Sequence, residues 1–276
     1  MSIVAQVPLI RWAGSKRQLL PRLIHKLPAH FGTYIEPFAG SACLFFAVNP
    51  AKAILSDQNP DLIEAYKTIT RHPIRVLRAA RAMSASPDEY YRVRAQSRES
   101  LSPLNRAVRF LYLNRHCFNA LYRTNGSGAF NVPIGLKTGG FPDDETFRRS
   151  AAILGRAELF CSDFEETLTR AKKGDFVYLD PPYVSRKGAD KNVYGCGSFT
   201  ARDLPRLLCQ LELLHSKKVH FLLSYSHSPE LLKLLPQKSQ PGFEVRRHIS
   251  GKANGRSFAK EVLLNNSDLF MSAERK

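Results

Sequence analysis

One short stretch limits what this chain can become: Asp175-Phe176-Val177-Tyr178-Leu179-Asp180-Pro181-Pro182-Tyr183. Its first half is a run of apolar, strand-forming residues of the kind buried on both faces of a parallel sheet. The run stops at a carboxylate followed by two prolines, and proline cannot continue a sheet, so the chain must turn at the strand's carboxyl end. In open α/β sheets ligands bind beyond those carboxyl ends. Asp180 and Tyr183 would then face a site, although an ordinary strand followed by a rigid loop gives the same pattern.

Similar strand patterns recur along the chain. Thr33 to Pro37 predicts a strand that runs into Phe38-Ala39-Gly40-Ser41-Ala42 and then an apolar helix from Cys43 to Val48. A strand, a small-residue turn and a helix start let a ligand approach the backbone closely. No G-K-[ST] follows, so this is not a phosphate loop. Ala51 to Asp57 predicts the next strand, also ending in an acid. Asp57 lies about 20 residues beyond the turn, where an acid can bind ribose hydroxyls, and it also lies where an N-cap is needed before Asn59-Pro60-Asp61. Glu158 to Asp163, Val219 to Tyr225, Phe243 to Ile249 and Lys260 to Leu264 predict further strands. Helices are expected over 16–27, capped by Ser15, and over 202–215.

Between 62 and 155 the pattern is helical, with expected helices over 63–69, 73–83 and 104–122 and many arginines. This stretch is interpreted as an inserted module. Its Arg and Lys interleaved with Tyr and Phe would suit DNA, though a basic run is more often a solvated face. Charge bears on that choice. The 276 residues carry 41 Lys+Arg against 24 Asp+Glu, a net charge of +17. Such an excess favours a polyanion, either nucleic acid or an anionic membrane surface. No run of about 18 apolar residues is present, so no spanning helix is expected, and the first residues lack signal-peptide features. The five cysteines are scattered without a C-x-x-C pair, which argues against a structural zinc site and suits a reducing compartment.

In order along the chain, Arg11-Trp12-Ala13-Gly14-Ser15-Lys16, Glu36-Pro37-Phe38-Ala39-Gly40, Leu55-Ser56-Asp57, the insertion and Asp180-Pro181-Pro182-Tyr183 resemble the Dam-type DNA adenine-N6 methyltransferases. The resemblance extends to Phe110 to Arg115, Phe118 to Arg123, Phe130 to Gly135 and Arg246 to Ser250. It implies an α/β fold: the Rossmann-like mixed sheet of S-adenosylmethionine (SAM)-dependent methyltransferases with helices on both faces, plus an inserted, mainly helical target-recognition domain. Residues 1–60 and 156–276 would form the catalytic domain and 61–155 the insertion. The family's cofactor loop usually has the form F-x-G-x-G. Ala42 puts a Cβ where its last glycine stands, which matters if the turn needs positive φ there.

The resemblance also implies roles. SAM would be the methyl donor, approached by Phe38, Ala39 and Gly40, with Asp57 on its ribose and Asp163 and Phe164 at its adenine. Trp12 and Lys16 would close over it, Lys16 near its carboxylate. Asp180, Pro181, Pro182 and Tyr183 would form the catalytic turn that receives an extruded adenine. Arg11 and Arg123 would read the outer guanines of a G-A-T-C site, Leu121 and Pro133 the thymine. Phe118 and Asn119 would wedge near the flipped base, Arg115 would hold a phosphate, and Asn131 belongs to the same recognition segment. The partner would be double-stranded DNA, with no metal and no membrane. The protein would be a monomer of bacterial or phage type, cytoplasmic and nucleoid-associated. An inactive DNA-binding relative and an RNA methyltransferase are the competing readings.

Overall fold

The computed structural model describes residues 7–136, 139–183, 199–226, 243–247 and 257–270. Residues 184–198, a polar stretch with three glycines, and most of the basic stretch 250–258 lie outside these residues.

The sheet is built from β1 (Tyr34–Glu36), β2 (Ala53–Asp57), β3 (Ala157–Cys161), β4 (Phe176–Leu179), β5 (His220–Ser226), β6 (Phe243–Arg247) and β7 (Ser257–Asn265). Their order is β3-β2-β1-β4-β5-β7-β6. The first five pair in parallel, and β7 inserts antiparallel between β5 and β6. Alternate strand residues serve different cores, as a period of two requires. Tyr34, Leu55, Phe176, Tyr178 and Leu222 join one buried cluster, and Ile35, Ile54, Val177, Leu179, Phe221 and Leu223 the other. The second cluster is closed by α8 (Phe164–Leu168), α9 (Asp203–Ser216) and α10 (Asn266–Phe270). The expected mixed sheet with helices on both faces is present.

β1 is the topological switch. From it the chain steps outward through β2 to β3 on one side, and through β4 to β5 on the other. A cleft must open where the loops after β1 and β4 diverge. The base of this junction is tied by Asp175, whose carboxylate accepts from the backbone N–H of Thr33 at 2.7 Å and of Lys172 at 2.9 Å. Gly32 is required beside it, because a Cβ there would lie 2.7 Å from the Asp175 carboxylate oxygen.

The first core is covered by α1 (Leu20–His25), α2 (Cys43–Val48), α3 (Pro60–Arg71), α4 (Pro73–Ala82), α5 (Pro87–Ala95), α6 (Pro103–His116) and α7 (Asp144–Leu154). Helices α3 to α6 each open on proline, whose missing N–H costs nothing in the first turn. Asn59, Ser86, Ser102 and Asp143 cap α3, α5, α6 and α7 with side-chain oxygens. Three expectations change. The helix expected over 16–27 is a single 3-10 turn (Arg17–Leu19) and then α1, with no side-chain cap; Pro21 restarts the helix. The helix expected over 104–122 stops at His116, because Cys117 turns extended and pairs with Ile134. Helices α5, α7, α8 and α10 were not expected.

Most arginines of the insertion serve its own architecture. Arg98 and Arg106 hold Glu64 at 2.5 and 3.2 Å, and Arg98 also grips Asp61. Arg78 and Arg81 share Asp144, each at 2.8 Å. Arg109 donates to the Val93 and Arg94 carbonyls. The count of 41 Lys+Arg therefore overstates the cations free to meet a polyanion, whereas the net +17 already subtracts the acids they pair with.

Candidate active site

Asp180 follows the last residue of β4. The parallel register pairs Leu179 with Leu223, so Ser224 stands beside Asp180 and donates to its Oδ1 at 3.1 Å. Lys16 reaches in from the N-terminal segment. Its Nζ lies 2.7 Å from Oδ1 and 2.9 Å from Oδ2, and also donates to the Gly14 carbonyl at 3.0 Å. Burial raises the Asp180 pKa above the ordinary aspartate value, and Lys16 opposes the rise. Burial works against the Lys16 charge in turn, yet Asp180, Tyr183 and Glu261 together raise its pKa. Lys16, expected near the cofactor's carboxylate, lines the cleft and donates to the Asp180 carboxylate.

Tyr183 completes the turn. Its hydroxyl donates to Glu261 Oε1 of β7 at 3.1 Å, and its ring meets Tyr225 of β5 edge-on at 5.3 Å. Lys16 Nζ lies 5.3 Å from the centre of that ring. Beneath, Glu36 is 2% exposed and accepts from Tyr34 Oη at 2.7 Å; burial pushes its carboxyl well above the usual range. Burial pushes the nearby Cys43 thiol up to about 11, so it is no thiolate at neutral pH.

The loop after β1 is held by backbone and acid together. Gly40 N donates to Asp57 Oδ2 at 3.0 Å and Asn59 N to Asp57 Oδ1 at 2.9 Å, while Tyr66 Oη of α3 donates to Gly40 O at 2.6 Å. Gly40 has φ +46, and a Cβ on it would lie 2.7 Å from Trp12 Cδ1. Ala42 has φ 51 and ψ 38, so the position where the family carries glycine is left-handed here and occupied by alanine. Burial raises the Asp57 carboxyl, opposed by the two N–H groups. The opposite wall is aromatic: Phe38 stacks on Phe164 at 5.4 Å and meets Phe199 edge-on at 5.9 Å.

Asp163 caps α8 through Glu165 N at 2.9 Å and also accepts from Gln58 Nε2 at 2.6 Å and Arg206 Nη2 at 2.9 Å. Arg206 further holds Glu165 and Asp203 and lies 4.9 Å from the Phe164 ring centre. Phe38, Gly40, Asp57, Gln58, Asp163, Phe164, Phe199, Asp203 and Arg206 line one cleft of about 310 Å³, together with Trp12, Lys16, Asp180, Pro181, Pro182 and Tyr183. Among the described residues no group of His, Cys, Asp or Glu is placed to hold a metal ion. Ser224, Glu261, Arg206, Gln58 and Phe199 were missed in the sequence. For Ser224 a signal existed, a polar residue at the end of an apolar strand. For Arg206, on a helix surface, there was none.

Of the residues expected to meet DNA, Phe118, Asn119, Leu121, Arg123, Asn131 and Pro133 lie apart, on a ribbon from 117 to 135. It is closed by the bridges Cys117–Ile134 and Thr124–Phe130 and by Asn131 N donating to Arg123 O at 3.0 Å. Its tip, 125–129, is exposed and is organised by Asn125 Oδ1, which accepts from Ser127 N and Ala129 N. Arg123 is exposed and donates to Asn131 Oδ1 at 2.7 Å. Asn119 is exposed with φ 52, Pro133 is exposed, and Phe118 and Leu121 are half-buried against the core. From α5, Tyr90 Oη at 2.9 Å and Arg94 at 3.2 Å hold the Val132 carbonyl. Arg11 is zipped to α6, its backbone N–H donating to Asn114 Oδ1 and its carbonyl accepting from Asn114 Nδ2. Arg115 lies half-buried over the Phe141 ring; burial and then Arg11 and Arg17 bring its pKa down to about 10.

The sheet order, the cleft at the switch point and the acid-Pro-Pro-Tyr turn inside it are those of a methyltransferase. The family model for the D12 class N6 adenine-specific DNA methyltransferase matches residues 12–249, and the chain belongs to that family. It is 32% identical over 269 residues to the type II methyltransferase M1.LlaDCHI of Lactococcus lactis subsp. cremoris, covering 94% of this chain and 95% of that protein. It is 35% identical over 264 residues to the DNA adenine methylase of Serratia marcescens, covering 92% and 96%. It is 33% identical over 261 residues to the Retron Ec67 DNA adenine methylase of Escherichia coli, covering 92% and 90%. The protein is therefore an adenine-specific DNA methyltransferase whose substrate is DNA. Among the described residues no helix is long and apolar enough to cross a membrane.

Proposed function

We propose that the protein transfers a methyl group from SAM to N6 of an adenine turned out of duplex DNA, within the sequence GATC. The observation that carries this is that the Asp180 turn and the Phe38–Ala42 loop line the same cleft. The cleft fits the donor: Gly40 presents backbone with no room for a Cβ, Asp57 keeps carboxylate lone pairs beyond its two N–H partners, and Phe38, Phe164 and Phe199 form an aromatic wall. Asp163 would meet the adenine of the donor, steadied by Arg206. When bound, SAM supplies an electrophilic methyl group.

The protein's own part is to present the nucleophile. The lone pair of adenine N6 is delocalised into the ring. Asp180 and the Pro181 carbonyl would accept hydrogen bonds from the amine and favour a more tetrahedral nitrogen, with positioning contributing most. Tyr183, anchored on Glu261, would stack on the base, which must leave the helix to reach this depth. Lys16 must then give up part of its hold on Asp180. Residues 61–155 serve as the target-recognition domain on a catalytic domain of 1–60 and 156–276. On it Arg123, with Arg11, reads guanine by bidentate contact, and Leu121 and Pro133 meet the thymine methyl. Phe118, Asn119 and Asn131 lie alongside, and Arg115 takes a phosphate. The enzyme acts as a monomer on intracellular DNA.

Tritium transfer from methyl-labelled SAM to duplexes with one GATC, or with one base of it changed, tests the reading. Label is expected in the GATC duplex alone; equal label in both overturns the site. A 2-aminopurine in place of the target adenine is expected to brighten on binding, and unchanged emission overturns base flipping.

A further inference from the structure

Tyr122 sits between Leu121 and Arg123, yet it does not line the cleft and has no part in the chemistry above. Its ring stacks on Trp12 with centroids 5.9 Å apart and planes 20° from parallel. Phe110 and Phe130 pack on it at 6.0 and 5.6 Å, fixing it at the root of the ribbon. Its hydroxyl donates to Asp61 Oδ2 in the first turn of α3, and Arg98 holds the other oxygen of Asp61. Trp12 in turn lies against Gly40, so close that a Cβ there would strike the indole. Two stacked side chains, Tyr122 and Trp12, thus span the whole distance from the recognition ribbon to the loop after β1.

We propose that Tyr122 is a positioning residue that couples the recognition ribbon to the cofactor loop, so that DNA and SAM each bind more tightly when the other is present. The inference rests on the reading that Arg123 and Leu121 meet DNA and that the Phe38–Ala42 loop holds SAM. The ribbon cannot shift under Arg123 without moving the Tyr122 ring or breaking its bond to Asp61. The ring cannot move without freeing Trp12 from Gly40. Whichever ligand binds first orders this stack, and the second then meets an ordered site. Linkage makes the effect reciprocal. Stacking supplies the contact, and the Asp61 bond supplies the fixed point against which it acts.

Trp12 is the only tryptophan, so its emission reports the stack directly. SAM affinity is measured by that emission with and without a GATC duplex, in the full-length protein, alongside KM for SAM and kcat. In the wild type the duplex is expected to tighten SAM about tenfold, a common size for coupling between sites. In Tyr122→Leu the ratio is expected to fall to about 1, with KM raised and kcat at saturation nearly unchanged. Tyr122→Phe, which keeps the ring and loses the anchor, is expected to retain less than half of the ratio; it decides the matter if the leucine variant does not fold. A wild-type ratio of 1, or an undiminished ratio in the tyrosine variants, overturns the coupling. A wild type that binds both ligands cooperatively yet transfers no methyl group leaves the coupling standing and overturns the functional reading; one that binds neither overturns both.

Discussion

The cleft and the recognition ribbon are built on opposite principles. In the cleft, Lys16, Glu36, Ser224 and Glu261 are all at most 5% exposed, and each sits at a strand end or on a segment pinned to one. On the ribbon, Asn119, Arg123 and Pro133 are exposed, and few backbone bonds hold the two sides together. Chemistry on a poor nucleophile needs acceptors that are already fixed in a low-dielectric site. Reading base edges needs a surface that can enter a groove. On the proposed reading, the same chain meets both needs by placing one on the sheet and the other on a ribbon anchored at its root.

This contrast can be broken, beginning with its largest effect. Asp180→Asn is expected to lower the methyl-transfer rate by about a thousandfold, as losing one preorganised partner of the reacting group does. Duplex affinity, by gel shift, should hold. The same variant leaves Lys16 buried without its counter-charge and should melt earlier. Adding Lys16→Met should restore the melting temperature and not the activity. If the double variant regains activity, the carboxylate is not the acceptor.

Arg123→Ala should act on the other region alone. It is expected to cost about 1–3 kcal/mol at one base pair and relax the preference there, with transfer at saturation intact. A uniform loss across all sequences would make Arg123 a phosphate contact instead. A smaller effect joins the cleft to pH. In the proposed mechanism the carboxylate form of Asp180 accepts from the amine; burial raises its pKa, and Lys16 lowers it again. Activity must fall as pH drops through that raised pKa, and Lys16→Met should move the acid limb of the residual rate to higher pH. An unmoved limb would assign it to another group. Smallest is Ala42→Gly. The left-handed φ of 51 is strained for alanine, so glycine should stabilise by about 0.5–1 kcal/mol in denaturant melts. A loss of stability would mean that the Ala42 methyl packs well enough to outweigh the strain.

The cleft was more legible than the ribbon for the same physical reason. Strand ends carry their signal locally: Asp57 and Asp180 each close an apolar run, and the turn after β1 announces itself by small residues. The question of positive φ at Ala42 could be posed from the sequence, and only the backbone answered it. Ser86-Pro87-Asp88-Glu89 carries a local helix-start signal, and Ser86 caps α5 through Glu89 N at 3.3 Å. What could not be seen was pairing across long separations. Lys16 meeting Asp180, Tyr183 meeting Glu261 and Arg206 meeting Asp163 depend on the sheet order, which no local pattern contains. Nor could composition say that Arg98, Arg106 and Arg109 are spent inside the protein.

The first buried cluster is continuous from Tyr34 and Phe45 on the catalytic side to Phe110, Tyr112 and Val132 in the insertion. A graft of the entire 61–155 segment from a relative would therefore have to match a partner's interior as well as its target sequence. New specificities should be reached by rewriting the exposed positions of the 117–135 ribbon, such as Asn119, Arg123 and Pro133, whose side chains can change without reopening that interior.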